Sequence, residues 1–241
     1  MGRFLRENRH IWLFLAIACL LGLLFSRPRA AVPAEGEALI EAPLVALTFD
    51  DGPRRSTTTD LLDGLQERGV QATFFLIGEQ IEGNEDLIER MEEEGHQIGI
   101  HSYEHRWLTA LSAADFSRQV DRERQLLCGI LGREDFLLRP PYGGVDAAVE
   151  KRANAPIILW SVDPEDWKEL NADRVTQRIL ENVEDGDVIL LHDIYPTSVE
   201  AALRVVDALH EKGFLFVTVS ELARQKGIEL ENGEVYRGFR G

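Results

Sequence analysis

Two adjacent aspartates, Asp50 and Asp51, follow a short apolar run and precede Gly52-Pro53. Within a regular strand neighbouring side chains point to opposite faces. Where a strand ends in a forced turn, both carboxylates can face one opening. Two carboxylates that close repel each other unless a cation or a shared proton intervenes. Alone, the stretch reads as a surface turn. Further along, His101 and His105 stand four apart, a spacing that puts two imidazoles on one side of a helical turn. With Asp51 they make a set of two histidines and one carboxylate, which leaves positions open on a divalent metal. Such a metal would polarise a carbonyl oxygen and lower the pKa of water towards ~7. Zinc is the first choice, with cobalt or another first-row metal as alternatives. Asp50 is then free to act as general base, and His192, after another apolar run, as general acid to a leaving amine. Asp163 is a candidate to orient His192, and Arg139 to pair with Asp50 and keep it ionised. Asp166 and Asp193 are assigned hydrogen bonds to backbone or to Arg139, with no chemistry of their own.

These residues need elements to hold them. Short, apolar, β-branched or aromatic runs predict strands over 45–49, 73–77, 97–100, 136–138, 157–160, 188–191 and 214–217. Helices are expected over 60–68, after a Ser/Thr cluster suited to capping, and over 85–94, stopped by Gly95. Further helices are expected over 115–131, 173–182, 198–210 and 220–226. Strands alternating with helices indicate an α/β fold, a distorted or incomplete (β/α) barrel in preference to a doubly wound sheet. The preference rests on placement. The clusters at 48–53, 101–105, 139–143, 163–167 and 192–193 each follow a predicted strand, where barrel enzymes carry their active sites.

In order, these clusters resemble the five motifs of the polysaccharide deacetylases, carbohydrate esterase family four, also called the NodB-homology family. Thr48 to Pro53 is similar to Thr-Phe-Asp-Asp-Gly, and His101 to His105 to His-Ser/Thr-x-x-His. Arg139 to Tyr142 resembles Arg-x-Pro-Tyr, Asp163 to Trp167 Asp-x-x-Asp-Trp, and Leu190 to His192 Leu-x-His. The resemblance spans about residues 44–226 and no motif residue is broken. It implies a distorted barrel and hydrolytic deacetylation through a tetrahedral intermediate. Asp51, His101 and His105 would bind the metal, Asp50 would be the base and His192 the acid. Arg139 would steady Asp50 and Asp163 would tune His192. The backbone N–H of Tyr142 would help hold the oxyanion, and Trp167 and Leu190 would line the acetyl-methyl pocket.

Composition narrows the setting. The 241 residues are 44% hydrophobic, enough for one substantial core, and the net charge of −16 excludes a nucleic-acid partner. No Cys-x-x-Cys exists, so a zinc site built on cysteine pairs is excluded. Arg3, Arg6 and Arg9 precede an apolar run over 11–25, which reads as a cleaved export signal or an N-terminal membrane anchor. Either places the rest of the chain outside the cytoplasm. The expected organisation is a signal or anchor over 1–25, a linker over 26–43, a single catalytic domain over 44–227 and a short tail over 228–241 with no assigned role. The expected substrate is an acetylated glycan, with peptidoglycan N-acetylglucosamine first and chitin-like oligomers next, and the expected state is a monomer. An O-deacetylase such as an acetyl-xylan esterase is the alternative, because one site can serve an ester or an amide. A glycan-binding protein without turnover is the alternative from outside the enzymes.

Overall fold

A computed structural model describes residues 42–240. The expected signal or anchor over 1–25, and most of the linker, lie outside the described residues. Among the described residues no helix is long and apolar enough to cross a membrane.

Among the described residues eight strands make one sheet: β1 (Leu44–Asp50), β2 (Thr73–Leu76), β3 (Gln97–Ile100), β4 (Leu137–Leu138), β5 (Ile157–Ile158), β6 (Asp187–His192), β7 (Leu215–Phe216) and β8 (Val235–Tyr236). The order is β6-β1-β2-β3-β4-β5-β8, with β7 also on β1, and every pairing is parallel. Past β5 the chain turns back to β6: Ser161 N–H donates to Val188 O (3.0 Å) and Leu190 N–H to Val162 O (2.9 Å). The sheet thus curls into the irregular (β/α) barrel expected from the strand–helix alternation.

The helices are α1 (Arg55–Arg68), α2 (Gly78–Ile81), α3 (Glu85–Glu93), α4 (Ala113–Leu131), α5 (Ala147–Arg152), α6 (Asp166–Glu169), α7 (Ala172–Asn182), α8 (Pro196–Glu211) and α9 (Val219–Gln225). Capping follows local chemistry at several ends. Ser112 accepts from Asp115 N–H and Thr218 from Glu221 N–H, while Gly69 closes α1 in the left-handed region at φ 64°. One start departs from expectation. The helix predicted from residue 60 begins at Arg55, so the Ser/Thr cluster lies inside its first turns. Thr58 accepts there from the Arg54 N–H (2.8 Å) and donates to Asp193.

Along β1 the side chains alternate. Val45, Leu47 and Phe49 join the larger core between sheet and helices, while Ala46 joins a smaller core inside the barrel. Thr48 and Asp50 therefore share the inward face. The inner core contains Phe75, Val188, Val219, Leu222 and Phe239, so α9 and the chain end close the barrel floor.

The residues expected as a tail over 228–241 are part of this closure. Val235–Tyr236 pairs with β5, Phe239 N–H donates to Gly186 O (2.7 Å), and Arg240 holds the buried Asp187 (2.7 Å). A two-residue strand has no period to read, so only its partners reveal it. Burying Phe239 supports the floor, and Phe→Ala in a core costs about 3–5 kcal/mol. Phe239→Ala is therefore expected to lower the unfolding free energy by an amount in that range, read as a lower denaturant midpoint, and removal of residues 228–241 to lower it further. Unchanged midpoints in chemical denaturation would show the end segment to be a tail after all.

Candidate metal centre and catalytic site

The site lies at the C-terminal ends of the strands. β1 ends in Asp50 and β6 in His192, and these two are in register; β3 runs into His101 and β4 into Arg139. Asp50, Asp51, His101, His105, Tyr142, Asp163, Trp167, Leu190 and His192 line one cavity of about 440 Å³, together with Trp160 and Tyr195. Arg139 lies buried beneath it. A larger groove, about 810 Å³, opens at the floor end beside Gln97 and Leu137. One of its charged groups, Arg133, is paired with Glu92 at 2.9 Å, and the motif residues are at the other end.

Asp51 leaves the strand in the left-handed region, φ 73°, which aspartate tolerates better than most residues. The turn brings its carboxylate to the mouth beside that of Asp50. Its Oδ1 is 3.5 Å from His101 Nε2 and 3.4 Å from His105 Nε2. His101 Nδ1 lies 2.7 Å from the Arg139 carbonyl oxygen. That contact assigns the ring hydrogen to Nδ1 and leaves the Nε2 lone pair facing Asp51. Burial pushes the pKa of both imidazoles down, favouring the neutral form that ligates metals. Burial also pushes Asp51 up, against the pull of His101. The Asp51 Oδ1 is buried and has no hydrogen-bond partner. A carboxylate oxygen without a donor, facing two imidazole nitrogens, lacks a positive centre. The donor set fits a divalent metal.

The two histidines are not on a helical turn. They flank a loop in which Ser102 (φ 71°) and His105 (φ 54°) are left-handed. Helix α4 holds this loop. Glu123 Oε1 accepts from His101 N–H (3.3 Å), the Gln119 carbonyl from Tyr103 N–H (2.8 Å), and Gln119 Oε1 from Glu104 N–H (2.8 Å). Glu123 is fully buried, and burial drives its pKa well above the usual carboxylate range. Sequence reasoning missed both residues, because on a long amphipathic helix they look like ordinary solvent-facing positions.

Asp50 is nearly as buried as Arg139, whose Nη1 donates to Asp50 Oδ1 (2.8 Å), the pairing expected from sequence. Across the cavity, the partner of His192 is not Asp163. Asp166 Oδ1 lies 2.8 Å from His192 Nδ1, and Asp166 Oδ2 accepts from His192 N–H (2.8 Å) and Ser198 Oγ (2.5 Å). Asp163 is exposed and instead accepts from Glu165 N–H (2.8 Å). The left-handed turn at Glu165, φ 56°, starts α6 and drives Asp166 into the barrel. Burial opposes a charged His192, but the hydrogen bond and charge of Asp166 outweigh it, with Asp50 and Asp51 adding, and hold the pKa up at about 9. Asp193 accepts from Thr58 Oγ1 and not from Arg139; burial pushes its pKa up to about 7. Any side chain at Gly52 would collide with its carboxylate.

Comparison with known proteins identifies the family. The polysaccharide deacetylase family model matches residues 40–156. The chain is 37% identical over 196 residues to the peptidoglycan-N-acetylmuramic acid deacetylase PdaC of Bacillus subtilis, covering 81% of this chain and 42% of PdaC. It superposes on the solved structure of PdaC with a TM-score of 0.76 at 38% identity, covering 78% of this chain and 93% of that one. The chain belongs to the polysaccharide deacetylase family. The peptidoglycan-N-acetylglucosamine deacetylase PgdA of Listeria monocytogenes is 40% identical over 192 residues, 80% of this chain and 41% of PgdA. The chain thus spans about two fifths of the length of these two curated relatives. A family 4 acetyl xylan esterase from Clostridium thermocellum, solved in complex with a cobalt ion, has a TM-score of 0.77 at 28% identity, covering 81% of this chain and 98% of that one.

The orphaned Asp51 oxygen yields a test that needs no substrate. A carboxylate whose folded pKa is raised opposes folding at pH values above its unfolded pKa of ~3.9. Metal-free Asp51→Asn is therefore expected to be more stable than metal-free wild type at pH 7, by about 1–3 kcal/mol. Added zinc should reverse the order, because only the wild type keeps its full ligand set. Thermal melts with and without zinc check this; a variant that gains as much from zinc as the wild type would contradict the assignment of Asp51 as a ligand.

Proposed function

We propose that this domain is a metal-dependent deacetylase acting outside the cytoplasm on the N-acetyl groups of peptidoglycan amino sugars, N-acetylglucosamine first. The observation that carries the reading is the convergence, on one cavity, of the Asp51–His101–His105 donor set with a buried Asp50 and an Asp166-held His192. The peptidoglycan deacetylases among its relatives, at 37% and 40% identity, support an amide over an ester. Zinc is the proposed ion, with cobalt the alternative that the esterase relative supports. The apolar run over 11–25 supports export, by a cleaved signal or as an anchor.

The steps fall to different residues of the site. A divalent ion held by Asp51, His101 and His105 would supply Lewis-acid polarisation of the acetyl carbonyl and acidify the attacking water. Asp50, fixed by Arg139, takes a proton from that water as it adds to the carbonyl carbon. The Tyr142 N–H, in the turn Pro141–Gly143, donates to the oxygen that gains charge. His192 enters protonated and gives its Nε2 proton to the nitrogen as the C–N bond breaks, releasing acetate and the free amine. Asp166 accepts the Nδ1–H, so that Nε2 is the end facing the cavity. Leu190, nearly buried, and Trp167 form the apolar wall for the methyl group. Asp163 has no step here.

Residues 35–241 loaded with zinc are expected to release acetate from N-acetylglucosamine oligomers and peptidoglycan. Chelation should abolish release and metal restore it. Acetate from acetylated xylan alone would move the function to the ester. The pH profile tests the acid. His192 must carry its proton, so activity should fall as pH rises through about 9. Asp166→Asn removes what raises that pKa, and the basic limb should move down towards the ordinary histidine value of ~6.5. An Asp163→Asn variant should leave the limb in place. A limb that moves with Asp163 and not with Asp166 would restore the assignment made from sequence.

A further inference from the structure

We propose that Trp107, stacked on Tyr142, is a sugar-binding platform: a subsite at the rim of the cavity for the glycan residue adjoining the one that loses its acetyl group. The inference rests on the reading of this site as a glycan deacetylase. Trp107 follows the His101–His105 loop and does not line the cavity itself. Its indole stacks on the Tyr142 ring, centroids 4.7 Å apart and planes at 19°. The Tyr142 ring in turn meets the His105 ring edge-on at 4.6 Å and 62°. Three rings thus form a ladder from a metal ligand out over the rim, and both outer rings are exposed, Trp107 at 51% and Tyr142 at 57%.

A single exposed tryptophan is ordinary, but this one is built in place. One face is taken by Tyr142, and a side chain at Gly144 would already touch its Nε1 at 3.4 Å. The next residue, Leu108, is buried and anchors the segment. The loops after β3 and β4 therefore meet to present the other indole face in a fixed orientation. A rigid aromatic face loses little entropy on binding.

The chemistry of that face selects its ligand. Pyranose rings carry a face of C–H groups ringed by hydroxyls, which matches an electron-rich aromatic surface with polar groups at its margin. Glu104 and Arg106, exposed and 3.8 Å apart, precede Trp107 in the same loop and offer polar groups of that kind. A cavity of about 440 Å³ suits one acetamido sugar and not a polymer. A longer chain must therefore cross the rim, and the ladder gives it an apolar path that begins at the metal ligand.

The test compares N-acetylglucosamine dimer and pentamer as substrates for zinc-loaded wild type, Trp107→Ala and Trp107→Phe. The expected result is a loss of about tenfold in the pentamer-to-dimer ratio of kcat/KM for Trp107→Ala, carried by KM, and partial recovery in Trp107→Phe. A ratio unchanged in Trp107→Ala would overturn the platform. Wild type that releases no acetate from either oligomer would overturn the proposed activity instead. The platform is then judged by calorimetric titration with the pentamer, where absent binding, or equal affinity in wild type and Trp107→Ala, sinks it.

Discussion

A guanidinium sealed inside the barrel is the constraint on which the site depends. Arg139 is fully buried, and its donors reach around the barrel: Nη1 to Thr48 Oγ1 (2.7 Å) and Asp50 Oδ1 (2.8 Å), Nε to Ile158 O (3.1 Å), and Nη2 to Leu159 O (2.9 Å). Thr48 Oγ1 passes the network on by donating to Ile189 O (2.7 Å). Strands β4 and β5 are only two residues long, so carbonyls that a regular sheet would satisfy are taken by the arginine instead. Breaking such a pair leaves a buried charge uncompensated, at roughly 3–5 kcal/mol. The same residue holds His101 through its main-chain carbonyl. One buried side chain and its own peptide thus set the distance between the Asp50 carboxylate and the His101 imidazole.

Around this fixed point the mouth concentrates unfavourable backbone. Asp51, Ser102, His105 and Tyr142 all lie in the left-handed region, and all stand just past strand ends. Non-glycine residues there cost of order 1–3 kcal/mol each and persist only where the surroundings over-determine them. The surroundings here are identifiable. Helix α4 receives the N–H groups of the histidine loop, and Gly52 packs against Asp193, itself held by Thr58. The stability of the barrel wall thus offsets the strain that turns two carboxylates and two imidazoles inward.

The electrostatics of the cavity are asymmetric. On one side the imidazoles are kept neutral by burial, and a carboxylate oxygen has no donor. On the other, Asp166 keeps an imidazole charged. Asp50 and His192 are in register on neighbouring strands, so a substrate atom between them would meet both. Environment thus separates the neutral imidazoles of His101 and His105 from the charged one of His192.

How much of this was legible from the chain depends on whether the signal was local. The strands stand out as short apolar runs, and the polar clusters after them are fixed by covalent sequence, so the barrel and Asp50, Asp51, His101, His105, Arg139 and His192 follow without coordinates. The choice between Asp163 and Asp166 does not. The two are three residues apart, and only the left-handed turn at Glu165 turns Asp166 inward and leaves Asp163 in solvent. Glu123 and Gln119 are buried because a loop from another part of the chain closes over them, and β8 is a strand because β5 and β6 leave a gap at the barrel floor. The sequence by itself determined which chemical groups stand at which strand ends. The tertiary structure decided which of them touch, because burial and hydrogen-bond partnership depend on segments far apart in the chain, and no local spacing encodes their approach.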